Sequence, residues 1–515
     1  MRLVLGTATV VLLLAVTLGS TAAVLSFPGR ATALNAGDWA ALRFTVMQAL
    51  ISATLSVVIA IPAARALARR RFIGRGVLVA LLGAPFILPV IVAVLGLLAI
   101  WGRSGLASSL LVAVGLPPIS IYGLTGVVLA HVFFNLPLAT RLILQGWMSI
   151  PAEHFRLAAN LGMGSAEVRR TLEWPMLRAV LPGTFLVIFL LCVTSFAVVL
   201  TLGGGPKATT VELAIFQALR FDFDLGKAAA LALVQVALCL VAAALTLGFA
   251  LRAEFSLGLD TPPRRWDGRS ALARGIDWAV IGLVALFLLL PLSAVGVRGL
   301  PQLGALPPGL WQALLTTLLI AVPVALLSTA LAMAMAGMLT RLSPGLARLI
   351  EGSSVLALAI SPFVIGTGLF IVLNPVIDPF SMAVPVTIAI NAVMALPFTL
   401  RILLPAFQRA DAHYARLGAS LGMGGWTLFR LALWPRLRRP AGFAAGLAGA
   451  MSVGDLGVIT LFAPPDLSTL PLLMYRLMGS YQMDAAAGVA LILVATALAL
   501  FVAFDRGGRL DDHIR

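Results

Sequence analysis

Few side chains in this sequence could do chemistry, and most of them lie in apolar surroundings. His131 and Asn135 stand one helical turn apart among aliphatic and aromatic residues. Asn391 and Asp455 are similarly enclosed, Asp455 between Gly454 and Leu456. A polar group in such a run either bonds to a neighbouring helix or faces a pathway, because leaving it alone in an apolar medium is costly. His131, Asn135, Asn391 and Asp455 are therefore candidates for lining a translocation pathway, with an interhelical hydrogen bond as the competing reading for each. The two cysteines, Cys192 and Cys239, each sit inside an apolar run and read as small buried hydrophobes. The four histidines are scattered, and no Cys/His spacing suits a metal. "GGGPKATT" (203–210) has the residue types of a phosphate loop without its spacing, so no nucleotide or other cofactor is expected on this chain. No convergent group of acids, bases and nucleophiles points to an enzyme.

The elements that position these residues are set by composition. Of the 515 residues, 61% are hydrophobic and 11% charged, far from the balance of a soluble domain. Backbone groups in lipid must be satisfied within a helix, which takes about 20 apolar residues to cross. Twelve such runs occur, near 3–25, 42–66, 76–101, 121–146, 179–203, 227–252, 276–298, 308–338, 350–373, 382–405, 441–463 and 484–505. The expected fold is an all-α polytopic membrane protein. The first run is longer than a secretory signal core and reads as an uncleaved helix. Lys and Arg mark the cytoplasmic side of a membrane protein. With both termini inside, 28 basic residues fall inside and eight outside, of the 36 present. The net charge of +16 thus reports topology, not nucleic-acid binding; lipid is the expected partner of the apolar faces.

The chain also repeats itself. "NLPLATRLIL" (135–144) answers "ALPFTLRILL" (395–404), "RLAANLGMG" (156–164) answers "RLGASLGMG" (416–424), and "EWPMLR" (173–178) answers "LWPRLR" (433–438). One offset of 260 joins all three, and six spans separate equivalent points, so the repeats are parallel rather than inverted. The halves are 1–252 and 276–515, joined by an Arg/Pro-rich cytoplasmic linker, 253–275. Each half carries a loop predicted to be a helix–Gly–helix elbow. Pro151 and Asp411 are expected to start the first short helix, and Gly162 and Gly422 to stop it. Ser165 is expected to cap the second helix in the first half, and Pro175 and Pro435 to end it. Pro137 and Pro397 are expected to break or kink matching spans.

These loops resemble the cytoplasmic loop of ABC importer permeases, which reads Glu-Ala-Ala, a Gly after three more residues, then an aliphatic residue, any residue, Leu and Pro. From Gly162 and Gly422 the matching positions are Arg156 and Arg416, Leu157-Ala158 and Leu417-Gly418, Leu172 and Ala432, Trp174 and Trp434, and Pro175 and Pro435. Arginine thus replaces the family's Glu in both loops, and Trp its Leu. The resemblance implies that Arg156, Ala159, Gly162, Trp174 and Pro175, with Arg416, Ala419, Gly422, Trp434 and Pro435, form two ATPase-coupling helices. It further implies a type I importer fold, two copies of an ATPase subunit, a periplasmic substrate-binding protein touching 203–224, and a bacterial inner-membrane location. The fused halves, the segment 202–224 and "SVGDLGVITLF" (452–462) look like the thiamine/thiamine pyrophosphate branch. Fused ferric-iron permeases share the architecture, and an ion-coupled secondary transporter is the alternative from another class.

Overall fold

In the computed structural model, residues 2–27, 34–82, 88–250, 265–266, 268 and 270–509 are described. They are helical, with no strand among them. In the first half the principal helices are α1 (Arg2–Ser26), α2 (Ala36–Arg69), α3 (Val90–Trp101), α4 (Leu124–Met148), α5 (Ala152–Asn160), α6 (Ser165–Val168), α7 (Trp174–Val193), α8 (Ala197–Leu202), α9 (Val211–Arg220) and α10 (Leu225–Ala250). The second half holds α11 (Ala271–Gly299), α12 (Leu310–Leu339), α13 (Pro362–Leu373), α14 (Ala383–Ser420), α15 (Gly425–Leu428), α16 (Trp434–Val453), α17 (Gly457–Phe462), α18 (Leu470–Gly479) and α19 (Met483–Gly507). Most of the linker, 253–264, lies outside the described residues, and 271–275 belong to α11.

Among the described residues, ten helical stretches are long and apolar enough to cross a membrane. The runs 350–373 and 441–463 are each divided, by Ser361 before α13 and by Gly454–Leu456 between α16 and α17. The first half repeats the second break at Thr194–Phe196. Asp455 therefore sits at a gap between two helices and not within a span. Pro137 and Pro397, in contrast, lie inside α4 and α14, which continue through them. The stretch 203–224, read as an outer loop, holds α9, which is packed into the bundle along most of its length. The hydroxyl of Thr45 accepts from the first N–H of α9, and that of Thr317 from the first N–H of α18, both at 2.9 Å. Each donor would otherwise be an orphan of the helix start.

The halves are not side-by-side bodies. α1 packs on α12 and α13 of the second half, and α11 packs on α2 and α3 of the first. Glycine permits both crossings. A Cβ on Gly368 of α13 would run into the carbonyl of Ser20 in α1. One on Gly96 of α3 would lie 2.5 Å from the carbonyl of Pro291 in α11. Small residues let helix backbones approach where lipid gives no hydrophobic drive. The largest apolar cluster among the described residues accordingly runs from Val24 through both halves to Ala497.

Candidate functional site

At one end of the bundle the two elbows form as matched structures. α5 and α14 each end in the same motif. Met163 N–H bonds to Ala158 and Gly162 N–H to Ala159, both at 3.0 Å; Met423 bonds to Gly418 at 2.9 Å and Gly422 to Ala419 at 3.2 Å. This pair of bonds satisfies carbonyls at a helix end and needs a left-handed residue, which is Gly162 (φ 66°) and Gly422 (φ 63°). The stop signal at both glycines is thus present.

The other elbow expectations are corrected. Ser165 does not cap; the N-cap is Gly164, and Ser165 is the first helical residue. Pro175 and Pro435 do not end a helix. α6 runs into α7, and α15 into α16, through wide π-turns at Arg169–Glu173 and Phe429–Leu433. Trp174 and Trp434 donate five residues back, to Arg169 and Phe429. The looser turn makes room for the proline that follows, which has no N–H and would collide with an ordinary α-turn. Asp411 is no cap either, but lies buried inside α14. Pro151 is the first half's counterpart to Asp411 and interrupts the chain between α4 and α5, whereas Asp411 lets α14 run on for 38 residues.

Each elbow presents apolar side chains to the outside. Leu157, Leu161 and Trp174 are exposed, as are Leu417, Leu421 and Trp434 at the matching positions. Arg156, Ala159, Arg416 and Ala419 share these exposed surfaces. Exposed leucines three or four residues apart beside a tryptophan are the kind of patch that marks a protein contact. The supports beneath the elbows differ. In the first half Glu173 is 1% exposed and accepts from Arg65 (2.9 Å), Arg265 (2.6 Å) and the Trp147 indole (3.2 Å). The Arg265 guanidinium also lies over the Phe155 ring, and Trp266 donates to Met163 O at 3.1 Å. The end of the linker is thus fastened to the first elbow. In the second half Leu433 replaces Glu173 within an apolar cluster. Asp411 there takes Arg2 at 2.8 Å and Arg341 at 3.6 Å.

The four candidate pathway residues converge. His131, Asn135, Asn391 and Asp455 line one cavity of about 410 Å³ where the halves meet, a size that suits a small organic ligand. Asn391 Nδ2 donates to Ser452 Oγ at 3.2 Å and to Asp455 Oδ2 at 3.3 Å. Asp455 Oδ1 accepts from Gly457 N–H at 3.1 Å, so the carboxylate also caps the start of α17. Asn135 Nδ2 points to Cys192 Sγ at 3.3 Å, which gives that buried thiol a polar contact. His131 Nδ1 lies 3.4 Å from Ser52 Oγ, while its Nε2 is buried with no hydrogen-bond partner. Phe196 and Phe363, one from each half, meet in the lining with centroids 4.3 Å apart. Reading the sequence missed Glu212, a further lining residue that is 1% exposed. Its only signal was an acid flanked by apolar residues in "VELAIF", within a stretch taken for an outer loop.

A two-fold repeat of apolar helices, a cavity lined by both halves and a pair of matched elbows at one end are the build of a transport permease. No protein-family profile matches the chain. Curated relatives do. The thiamine transport system permease protein ThiP of Brucella abortus is 44% identical over 475 residues, 91% of this chain and 87% of that protein. ThiP of Escherichia coli is 42% identical over 481 residues (91% and 89%), and that of Haemophilus influenzae 37% over 483 (91% and 88%). The chain belongs to the ThiP family of thiamine transport system permeases.

Proposed function

We propose that this chain is the transmembrane subunit of an ABC importer that carries thiamine or thiamine pyrophosphate across the bacterial inner membrane. Its elbows and both termini face the cytoplasm. The observation that carries the reading is the pair of matched elbows on a chain of the ThiP family, each exposing two leucines and a tryptophan on a Gly-stopped helix. Two equal docking surfaces on one polypeptide suit one permease chain and two ATPase subunits, and hydrolysis takes place on those partners. ATP binding draws the ATPases together, the elbows carry the displacement into α7 and α16, and the cavity changes the side to which it opens. A periplasmic binding protein delivers the substrate to the opposite end. Thiamine carries a fixed positive charge, and Asp455 supplies a negative one in the cavity lining.

The test is reconstitution of the permease in liposomes with its ATPase and binding protein. ATP-driven accumulation of radiolabelled thiamine is expected, with two ATPases and one permease chain by native mass spectrometry. Two permease chains per complex would overturn the stoichiometry. Uptake of ferric iron in place of thiamine would overturn the substrate. Uptake driven by an ion gradient without ATP would overturn the class.

A further inference from the structure

We propose that Glu212 is a second cation-recognising carboxylate of the cavity, so that a positively charged heteroaromatic guest is held between one acid from each half; this rests on the function proposed above. Glu212 stands at the second position of α9. Its Oε1 accepts from Gln235 Nε2 at 3.3 Å, and its Oε2 is buried. The Ser361 hydroxyl, next to the cavity-lining Pro362 and Phe363, is a second hydrogen-bonding neighbour of the same carboxyl. An acid buried with only neutral partners around it has its charge uncompensated, which costs stability and is kept where a positive charge answers it.

The repeat shows that the fold itself does not ask for this acid. The matched bonds from Thr45 to α9 and from Thr317 to α18 align Val211 with Leu470, and therefore Glu212 with Pro471. The next register is fixed by the left-handed residues Phe223 (φ 51°) and Tyr481 (φ 60°), which align Gln235 with Leu493. The second half fills with proline and a fully buried leucine the place where the first half keeps a carboxylate and an amide. Similar differences recur around the lining, with His131 facing Asn391 in the repeat, Asn135 facing Ala395, and Ser195 facing Asp455. A guest with unlike ends needs such an unlike cavity. The buried Nε2 of His131 adds an unanswered polar atom to the same lining. The Phe196–Phe363 pair offers an aromatic face to a flat cation.

The experiment is equilibrium binding to the purified permease–ATPase complex without binding protein. The ligands are thiamine and its uncharged isostere, in which carbon replaces the thiazolium nitrogen. The wild type should bind thiamine more tightly than the isostere. Glu212→Gln should weaken thiamine binding about tenfold, the scale of one lost charge-assisted contact, and leave the isostere unchanged. Glu212→Asp should restore part of the difference. Because Glu212→Gln could disturb folding, Glu212→Leu with Gln235→Leu, which copies the apolar filling of the second half, is measured alongside with the same expectation. No thiamine binding by the wild type, no effect of either variant, or an equal loss for both ligands would overturn the proposal. ATP-driven thiamine uptake by the wild type, assayed separately, tells that failure from failure of the importer reading.

Discussion

At the scale of the residue, the two elbow glycines and Asp455 make the most exposed commitments. No atom lies within 4 Å of where a Cβ on Gly162 or Gly422 would stand. A valine there meets no neighbour, so its cost is the left-handed backbone alone, on the order of 1–2 kcal/mol. Gly162→Val and Gly422→Val should therefore insert and fold, yet displace the turn that follows. Substrate-stimulated ATPase activity in nanodiscs should drop or separate from transport, and wild-type coupling in both variants would remove the elbows from the mechanism. Asp455→Asn is a clean test of charge, because asparagine can still cap α17 through its side-chain oxygen. Assembly should be unchanged and thiamine uptake reduced several-fold in vesicles; undiminished uptake would leave Asp455 as a cap only. The four residues that line the cavity together were legible because a polar side chain in a long apolar run is conspicuous, and the 260-residue repeat paired His131 with Asn391. Glu212 was not, because its neighbours Lys207, Thr209 and Thr210 made the segment read as exposed.

At the scale of the element, the elbows match in backbone and differ in support. Glu173 holds Arg65, Arg265 and Trp147 together, and Trp266 closes over Phe155, Ala158 and Val168. Trp266→Ala removes a linker contact without leaving a buried charge. Hydrogen exchange in 152–163 should then quicken measurably, while 412–423 keeps its wild-type protection; equal change at both elbows would refute a local brace. The same elements show where one-dimensional rules gave way. A proline after a short helix is a sound stop signal, but a five-residue π-turn absorbs it at both Pro175 and Pro435. A cap residue before an apolar run is a sound start signal, but Asp411 is reached by a helix already in progress. Both outcomes depend on the preceding turns, which local spacing does not encode. The left-handed glycines were legible because the need is met within six residues.

At the scale of the whole molecule, the arrangement of basic residues requires an orientation. A reporter fused at Arg70, beside Asp277 at 2.6 Å near the elbow end, should read as cytoplasmic. One at Lys207 should read as periplasmic, and the reverse pattern would invert the topology. The crossing of α1 onto α12 and of α11 onto α3 was invisible in the sequence, since a hydropathy profile gives spans and their number but no neighbours.

That crossing has a consequence for the order of events during synthesis. α1 is made well before the surface it packs against, since α12 lies about 300 residues later in the sequence. At a translation rate of roughly 5–20 residues per second, the first helix waits some tens of seconds for its partner. Throughout that interval the face of α1 around Gly6, which closes on Met338 only at the end, is left to lipid or an insertion factor. Nascent chains halted before residue 300 should therefore be degraded quickly or held by the insertion machinery, and chains released after residue 340 should gain protease resistance in one step. Early resistance of the isolated first half would mean that α1 has a temporary seat within its own half.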